Sequence, residues 1–307
     1  MYLNLNELFK KYRGKTGIGA FNLHCMEMFP YIVEGAKKSN SPLIIQTSKG
    51  TAEYLGLDWI VTTAKLFAKD IDLCIHLDHC KDIDFIIKAI DSGYNSVMYD
   101  GSSLDFEENI KNTKEVVKYA HKRNVSVEGE IGSIGGSEDG IEEKINSIIY
   151  TKAEDAVKFV EETEIDALAV AIGTVHGLYN GKAKINFELL DTLTKKLIDV
   201  GMVLHGGTGV SDEDFHKCAE KGMMKFNVGT ELNKNYIEKI VKDFQLAKPT
   251  TSLRGLLKNA NESIVNVVEH RSNVIKLAWY YTKFLKFKNV WVLSLVRIYI
   301  DKEFLPT

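Results

Sequence analysis

The sequence predicts an α/β fold, a closed (β/α)8 barrel with extra helices near its C-terminal end. Eight short apolar runs, bounded by polar residues or glycine, alternate with stretches of helical periodicity, and such runs indicate buried parallel strands. Strand–helix alternation indicates βαβ units, and eight of them close into a TIM barrel of roughly 250 residues. The 307 residues, 45% of them hydrophobic, are enough for one large core.

The main competing architecture is a doubly wound open sheet. Such a sheet normally carries a glycine-rich dinucleotide-binding loop directly after its first strand. The first predicted strand instead ends in G-A-F-N, residues 19–22, which is not a loop of that kind. The barrel is therefore the preferred interpretation.

The predicted elements follow from apolar runs for strands and from apolar residues at helical spacing for helices. The strands cover residues 17–22, 42–48, 72–77, 96–100, 126–132, 167–173, 202–207 and 225–230. The helices cover residues 3–13, 25–39, 51–69, 81–92, 105–123, 151–162, 187–199 and 211–221, and a further helix starts near Glu231. Residues 134–140, I-G-G-S-E-D-G, predict a polar loop. We expect the segment 134–150 to be mobile without substrate, because its glycines and polar residues offer few contacts.

Composition limits the class of protein. The net charge of −3 gives no support for nucleic acid or an anionic membrane as the main partner. The four cysteines, Cys25, Cys74, Cys80 and Cys218, form no C-x-x-C pair, which favours a reducing, cytoplasmic location. The N-terminal residues lack the basic and long apolar regions of a signal peptide.

Polar residues gather where the predicted strands end, at the barrel face that carries the chemistry in this architecture. Three of them are histidines, His79, His176 and His205, from the third, sixth and seventh predicted strands. Three neutral imidazoles on different strands fit a catalytic zinc with one open coordination position. Asp78 then suits an acid/base group beside a metal-bound substrate. The other polar residues at these ends are Asn22, Ser48, Asp100, Glu130 and Asn227.

The simpler interpretation is that polar residues accumulate wherever a strand meets a loop. It explains Ser48 well and Asn22 adequately, but it explains poorly three histidines from a total of eight. The remaining five histidines are interpreted as structural or solvated, although His76 could lie inside the barrel mouth.

Two glycine-containing segments resemble phosphate sites. H-G-G-T-G-V-S, residues 205–211, and N-V-G-T, residues 227–230, follow the seventh and eighth strands and run into helices. Backbone N–H groups and helix N-termini bind phosphate at these positions in barrels of this type. Either segment alone is compatible with an ordinary turn, whereas both together favour a phosphate site.

At these motifs the chain resembles the class II, metal-dependent ketose-bisphosphate aldolases. The motifs are H-L-D-H, V-E-G-E-I-G with G-G-S-E-D-G, A-I-G-T-V-H-G, V-L-H-G-G-T-G-V and K-F-N-V-G-T-E-L, in order between about residues 3 and 275. The resemblance implies zinc-dependent, reversible cleavage of fructose or tagatose 1,6-bisphosphate to dihydroxyacetone phosphate and glyceraldehyde 3-phosphate. It also implies a sodium or potassium ion near the phosphate loops. We expect a homodimer or a homotetramer.

Carried over by position, the resemblance assigns roles to individual residues. His79, His176 and His205 match the zinc ligands, and Asp100 and Glu130 match acidic residues where a second or displaced ion can lie. Asp78 matches the acid/base group at the C4 hydroxyl, and Glu138 matches a mobile-loop glutamate that moves a proton beside the ketone. The residues that match positions around the bound triose phosphate are Gly177, Gly206, Gly207, Thr208, Asn227, Gly229 and Thr230. Asn22 and Ser48 are added as substrate-binding candidates because they lie at strand ends.

Two departures from the family pattern matter. Many fructose-type members carry an acidic or amide residue where this chain has Gly229, which favours the tagatose type, whereas G-G-T-G-V favours the fructose type. The sugar therefore stays open. Resemblance also ends near Leu277, so residues 1–277 are predicted to be the barrel and 278–307 an atypical tail.

The tail is rich in aromatic and aliphatic residues but has no uncharged run near the roughly 20 residues that span a bilayer. We expect it to pack on the barrel or on a neighbouring subunit, since such surface is an aggregation hazard when exposed. The rival explanation is a frame change or an altered gene end.

Three functional alternatives accompany the aldolase interpretation. The same barrel could be a non-catalytic phosphosugar-binding or adhesion protein, for which the unusual tail is the argument. It could be another zinc lyase or hydrolase, which two phosphate loops disfavour. A lysine Schiff base could replace the metal, but Lys225 is predicted at the N-terminal end of its strand, on the wrong face.

Overall fold

The computed structural model describes residues 1–132, 136–138, 141–143, 149–177 and 183–277. Eight parallel strands form a closed barrel, in the spatial order 1-10-9-8-5-4-3-2 when strands are numbered along the chain. Helices alternate with these strands along the chain and cover the outside of the barrel. The predicted (β/α)8 barrel with extra C-terminal helices is confirmed.

The elements have the following bounds. The strands are β1 Ile18–Asn22, β2 Leu43–Thr47, β3 Leu73–Cys80, β4 Ser96–Tyr99, β5 Ser126–Ile131, β6 Gly136–Glu138, β7 Ile141–Glu143, β8 Ala167–Val170, β9 Gly201–Leu204 and β10 Met223–Val228. The helices are α1 Leu5–Tyr12, α2 Met28–Lys38, α3 Lys49–Leu55, α4 Leu57–Phe67, α5 Ile83–Ser92, α6 Phe106–His121, α7 Ala153–Thr163, α8 Phe187–Lys196, α9 Asp212–Glu220, α10 Thr230–Gln245, α11 Leu253–Leu256 and α12 Lys258–Val274.

Two predicted elements differ from the structure. The helix expected over 51–69 is two helices, α3 and α4, because Gly56 between them has φ +84°, a backbone conformation that ends a helix. The loop expected over 134–140 contains β6, which pairs antiparallel with β7. Hairpins this short are weakly marked in sequence because two three-residue strands carry little periodicity.

Helix α1 closes the N-terminal end of the barrel. Its Leu5, Leu8 and Phe9 are buried in one cluster with side chains from inside the barrel, such as Ile18 and Ile44. The Phe9 ring lies where a side chain on Gly201 would be, at 2.0 Å from an ideal Cβ position. An Asn4 capping box fixes the start of α1. With this end filled, the C-terminal end of the strands is the open face.

The C-terminal helices complete the layer around the first strand. Helix α12 packs closely on α2, because Gly35 lacks a Cβ that would lie 2.7 Å from Val265 O and Val268 Cβ. Gly17 N donates to Ile275 O at 2.9 Å, which ties the end of α12 to the start of β1. In the described part of the chain, no helix is long and apolar enough to cross a membrane.

Two predictions fall mainly outside the described residues. In the segment 134–150 the structure describes the backbone of β6 and β7 and residues 149–150, so the predicted mobility stays a prediction. The tail after Leu277 lies outside the described residues, and its packing stays a prediction too.

Candidate active site and metal centre

Three histidines meet at the open end of the barrel. The ring centres of His79 and His176 are 5.0 Å apart, those of His79 and His205 4.5 Å, and those of His176 and His205 5.6 Å. One nitrogen from each ring lies within 4.8 Å of the others. The structure therefore brings together the three residues that the sequence assigned to zinc, from β3 and from the segments after β8 and β9.

His79 owes its position to an irregular end of strand β3. The register between β3 and β4 shifts between Leu77 and Cys80, and His79 itself has φ +46°, which is unusual for a residue with a side chain. Its Nδ1 lies 3.2 Å from Asp100 Oδ2. When Nδ1 donates to this carboxylate, the lone pair lies on Nε2, the arrangement found in metal-bound histidines.

Asp100 is itself fixed at the end of β4. Ser102 donates to its Oδ1 through both backbone N, at 3.1 Å, and Oγ, at 2.6 Å. Burial alone would raise the pKa of this carboxyl, but the hydrogen bonds from His79 and Ser102 hold the pKa well below its usual range. Asp100 is thus ionised and oriented to hold His79.

His205 is fully buried after β9 and is held by a carboxylate on β5. Its Nε2 lies 2.8 Å from Glu128 Oε1, and its Nδ1 lies 3.4 Å from Glu130 Oε2. Burial, with His79 nearby, lowers the pKa of His205 to about 3, so the imidazole is neutral near pH 7. A donor bond from Nε2 leaves Nδ1 as the nitrogen with the lone pair.

His176 lies in a tight turn beyond β8. Gly173 before it has φ +117° and Gly177 after it has φ +82°. A Cβ on Gly173 would lie only 2.1 Å from Lys184 O, so this part of the loop has room for glycine alone. The close packing supports the position of His176 opposite His79.

Asp78 lies beside the histidines with both carboxylate oxygens engaged. Gln46 donates from Nε2 to Oδ2 at 2.8 Å, and Asn227 Nδ2 lies 3.4 Å from Oδ1. Gln46 was missed by the sequence analysis, although a fully buried amide in the otherwise apolar run L-I-I-Q-T was an available signal. The pairing of β1 with β2 sets Gln46 beside Asn22, and Gln46 Nε2 also donates to Asn22 Oδ1 at 2.8 Å.

A buried layer of charge lies below Asp78. Lys225 Nζ is 3.0 Å from Glu128 Oε2 and 3.7 Å from Asp78 Oδ1, and His76 Nε2 is 3.5 Å from Glu128 Oε2. Burial would raise the pKa of the Glu128 carboxyl, but Lys225 and His205 hold the pKa below its usual range.

The position predicted for Lys225 was therefore wrong. The side chain is fully buried inside the barrel rather than at the wrong face, because its long stem carries the ammonium along the interior toward Asp78. Its ammonium lies 3.0 Å from Glu128 Oε2, in an ion pair inside the barrel.

The two segments predicted to bind phosphate pack against each other and against β1. A Cβ on Gly206, which has φ +63°, would lie 2.4 Å from Val175 O, and one on Gly207 would lie 2.6 Å from Asn227 O. A Cβ on Gly229 would lie 2.8 Å from Asn22 Oδ1. Only glycines allow backbones to approach this closely.

The N-terminus of α10 is open toward these segments. Its N-cap, Gly229, has no side chain to cap the helix, and Thr230 is its first residue. Glu231 N donates to Thr208 Oγ1 at 3.2 Å, which joins the segment after β9 to α10. Helix N-termini with exposed N–H groups bind phosphate.

The structure does not test the roles assigned to two residues. Ser48 Oγ accepts from Thr51 N at 3.3 Å and thereby caps α3, so a contact with substrate stays a prediction for it. Glu138 lies on strand β6, but its side chain is outside the described structure, and its role also stays a prediction.

The three-histidine group is the one that fits zinc. Neutral imidazoles are preferred zinc ligands, and three of them leave a fourth position for substrate. The described residues contain two other candidate groups, His76 with Asp78 and Glu128, and His79 with Asp100 and Glu130. In the first of these, Lys225 already supplies a positive charge. The second is oxygen-rich and shares His79, which suits a second or displaced ion.

Known proteins resemble this chain over most of its length. A family model described as class-II fructose-bisphosphate aldolase matches residues 3–278. The D-tagatose-1,6-bisphosphate aldolase subunit GatY of Klebsiella oxytoca is 37% identical over 265 residues, which are 86% of this chain and 93% of that protein.

Solved structures of aldolases also resemble this chain over most of its length. The YdjI aldolase of Escherichia coli K12 superposes with a TM-score of 0.78 at 28% identity, covering 90% of this chain and 97% of that one. Fructose-bisphosphate aldolase of Campylobacter jejuni has a TM-score of 0.74 at 23% identity, covering 89% and 94%. The second likeness is evidence of fold alone.

Proposed function

Since the chain belongs to the class II fructose-bisphosphate aldolases, we propose that it cleaves a ketose 1,6-bisphosphate at the site formed by His79, His176, His205 and Asp78. The family and its aldolase relatives make the chain a lyase that performs aldol cleavage of ketose bisphosphates with zinc. The observation that carries the residue assignment is the meeting of three imidazoles beside a buried carboxylate and two glycine segments.

The three imidazoles would hold the zinc ion. Zinc, when bound, supplies positive charge for the C2 and C3 oxygens, as a Lewis acid worth several kcal/mol in favourable cases. The chain prepares the ligands by hydrogen bonds, from His79 to Asp100 and from His205 to Glu128. These carboxylates select the tautomer in which the other ring nitrogen carries the lone pair.

Asp78 is the base in the cleavage direction. It takes the proton from the C4 hydroxyl, C4 becomes the aldehyde carbon of glyceraldehyde 3-phosphate, and the electron pair of the C3–C4 bond stays with C3. A proton delivered to C3 then completes dihydroxyacetone phosphate, and Glu138 is the proposed donor. In the condensation direction Asp78 returns its proton to the aldehyde oxygen.

The glycine segments bind the phosphate of the triose portion. Gly206, Gly207, Thr208, Gly229 and Thr230 surround the open N-terminus of α10. Backbone N–H groups there are suited to phosphate oxygens. Asn22, which lies beside Gly229, is a proposed substrate contact, as are Asn227 beside Asp78 and Gly177 directly after His176.

Fructose and tagatose differ in configuration at C4, the carbon whose hydroxyl Asp78 is proposed to deprotonate. The relative from Klebsiella is named for the tagatose substrate, and the family for the fructose one. The deciding experiment is a coupled cleavage assay on both bisphosphates, with kcat/KM as the measure of preference. Activity on neither, with a full complement of zinc, would contradict the proposal.

A monovalent cation, sodium or potassium, is proposed near the phosphate segments. Its support is the resemblance together with the carbonyl oxygens of Val175 and Asn227, which approach Gly206 and Gly207 closely. Replacing potassium and sodium by tetramethylammonium at constant ionic strength should lower activity. Unchanged activity would rule the cation out as a requirement.

We also propose that the enzyme is a homo-oligomer, a dimer or a tetramer. Helix α10 exposes Ile237, Val241 and Phe244 at helical spacing, and Leu246 and Leu253 nearby are also exposed. Apolar surface of this kind marks interaction sites. Light scattering on the purified protein measures the assembly directly, and a monomer at micromolar concentration would contradict this proposal.

A cytoplasmic location is proposed from the cysteines. Cys25, Cys74, Cys80 and Cys218 are all free thiols in the structure, as expected in a reducing compartment. Thiol titration of the denatured protein, purified without reductant, should therefore count four.

A further inference from the structure

Arg271 of α12 bridges the two helices that follow the phosphate segments. Its Nε donates to Glu231 Oε2 at 2.8 Å, and its Nη1 donates to Asp212 Oδ1 at 3.2 Å. Glu231 is in the first turn of α10 and Asp212 in the first turn of α9. The side chain is only 9% exposed. One guanidinium therefore fixes the N-terminal ends of both helices relative to each other.

The same guanidinium supports the phosphate segment through an aromatic ring. Arg271 Cζ lies 4.8 Å from the centre of the Phe215 ring. Phe215 also packs against Gly207, because a Cβ placed on Gly207 would lie 2.9 Å from Phe215 Cζ. Arg271, Phe215 and Gly207 form a continuous packed series from α12 to the segment after β9.

Charge gives Arg271 a second effect on the same place. Glu231 N donates to Thr208 of the phosphate segment, so the Glu231 carboxylate belongs to the residue next to the proposed anion site. Carboxylates near a bound phosphate repel it, and a positive partner removes much of that repulsion. Arg271 pairs with Glu231 and shares Asp212 with His270, whose Nε2 lies 3.1 Å from the Asp212 carboxylate.

We propose that Arg271 is a positioning residue for the substrate phosphate, which it serves without touching it. It holds the N-terminal turns of α9 and α10 together and offsets the charge of two carboxylates in these turns, Glu231 and Asp212. Its own N–H groups are directed to Glu231 and Asp212, so the effect passes through these helices and through Phe215. This inference rests on the proposed function for the identity of the phosphate ligand.

The test compares Arg271→Met, which keeps the stem but removes the charge, with the wild type. KM for the ketose bisphosphate and the inhibition constant of inorganic phosphate should each rise about ten-fold or more. The value of kcat should stay within about three-fold of the wild type, and the zinc content should be unchanged. A ten-fold loss corresponds to about 1.4 kcal/mol of binding free energy.

Charge compensation predicts a specific rescue. Glu231→Gln in the Arg271→Met background removes the carboxylate left without its partner, and should recover part of the lost phosphate affinity. Loss of packing alone would not be recovered by this change.

The matched control is Arg123→Met, at the end of α6. Arg123 also pairs with a carboxylate, Asp91 at 3.1 Å, and stacks on an aromatic ring, Tyr119 at 3.8 Å. In this control, KM for the ketose bisphosphate and the inhibition constant of inorganic phosphate should be unchanged.

Unchanged KM and phosphate inhibition in Arg271→Met would overturn the inference, as would equal changes in the Arg123→Met control or failure of the Glu231→Gln rescue. Should Arg271→Met fail to fold, Arg271→Lys decides. Lysine keeps the charge but cannot bridge two carboxylates with a planar fork, so several-fold weaker phosphate binding is expected, and unchanged binding overturns the inference. If the wild type cleaves neither sugar, the proposed function fails, while calorimetric titration of inorganic phosphate into both proteins still tests Arg271.

Discussion

Gln46 uses both hydrogens of its side-chain amide on neighbouring strands, one to Asp78 Oδ2 and one to Asn22 Oδ1, each at 2.8 Å. The two bonds fix which end of the amide faces Asp78, and both residues are buried. The first hydrogen bond thus fixes the orientation of the Asp78 carboxylate from β2, and the second holds Asn22 beside Gly229. One amide thus links Asp78, the proposed acid/base group, to the segment proposed to bind phosphate.

Replacing this amide should affect turnover more than substrate affinity. Gln46→Ala removes a hydrogen bond to a charged group, worth about 1.5–3 kcal/mol, so kcat should fall about ten-fold or more. Gln46→Glu should be worse, because it sets a carboxylate against Asp78. Steady-state kinetics on the preferred sugar measures both effects. Gln245→Ala, an exposed position on α10, is the matched control; equal kinetics for Gln46→Ala and this control would contradict the assignment.

Loss of Asp78 should stop proton transfer without emptying the metal site. Asp78→Ala should lower kcat by about 10²-fold or more, in the range of general acid–base groups. Zinc content, measured by plasma mass spectrometry, should remain that of the wild type. Asp199→Ala, at an exposed position, serves as the control. Zinc loss in Asp78→Ala would instead make Asp78 a ligand.

Removal of zinc should abolish activity reversibly. The three imidazoles supply the whole proposed ligand set, so dialysis against a chelator should give inactive protein, and added zinc should restore turnover. His176→Ala should bind zinc weakly, whereas His121→Ala, altered on the outer helix α6, should bind it normally. Full turnover from protein shown to be metal-free would refute this prediction.

Acid should destabilise the zinc-free protein before its carboxylates titrate. Burial lowers the pKa of His205 to about 3 and, with Lys225, lowers the pKa of His76 well below its ordinary 6.5. The unfolded chain therefore binds more protons than the folded one below about pH 6.5, and the free energy of unfolding decreases as pH falls. Glu128, whose pKa is lowered from 4.5, loses its contribution only at lower pH.

Calorimetric melting temperatures between pH 7.5 and 4.5 measure this effect. His76→Gln should weaken the pH dependence, because glutamine does not titrate. A hydrogen bond to Asp166 raises the pKa of His121, so this residue stabilises the folded protein more as the pH falls. His121→Gln should therefore steepen the pH dependence of the melting temperature. A melting temperature independent of pH in this window would contradict the assignment of buried neutral imidazoles.

The sequence predicted the barrel because each strand is a distinct apolar run, and the run ends mark the open face. It also identified the histidines that converge there, since polar residues directly after such runs share one end of a parallel barrel. Gln46 and Glu128 were missed because both lie inside strands, where only the barrel geometry shows which residues face the interior. Lys225 was misplaced for a related reason: sequence position locates its Cα, whereas its long stem places the charge beside Asp78.

The barrel closes by pairing β1 with β10, from Ile18 beside Lys225 to Phe21 beside Val228. During synthesis both edges of the first strand are therefore paired only after the last strand has been made, and the barrel that brings the ends of β3, β8 and β9 to one face closes only then. Contacts so distant along the chain slow folding, and unpaired strand edges favour aggregation. A ribosome-released fragment that stops before β10 should thus be a substrate for chaperones and proteases rather than a smaller enzyme.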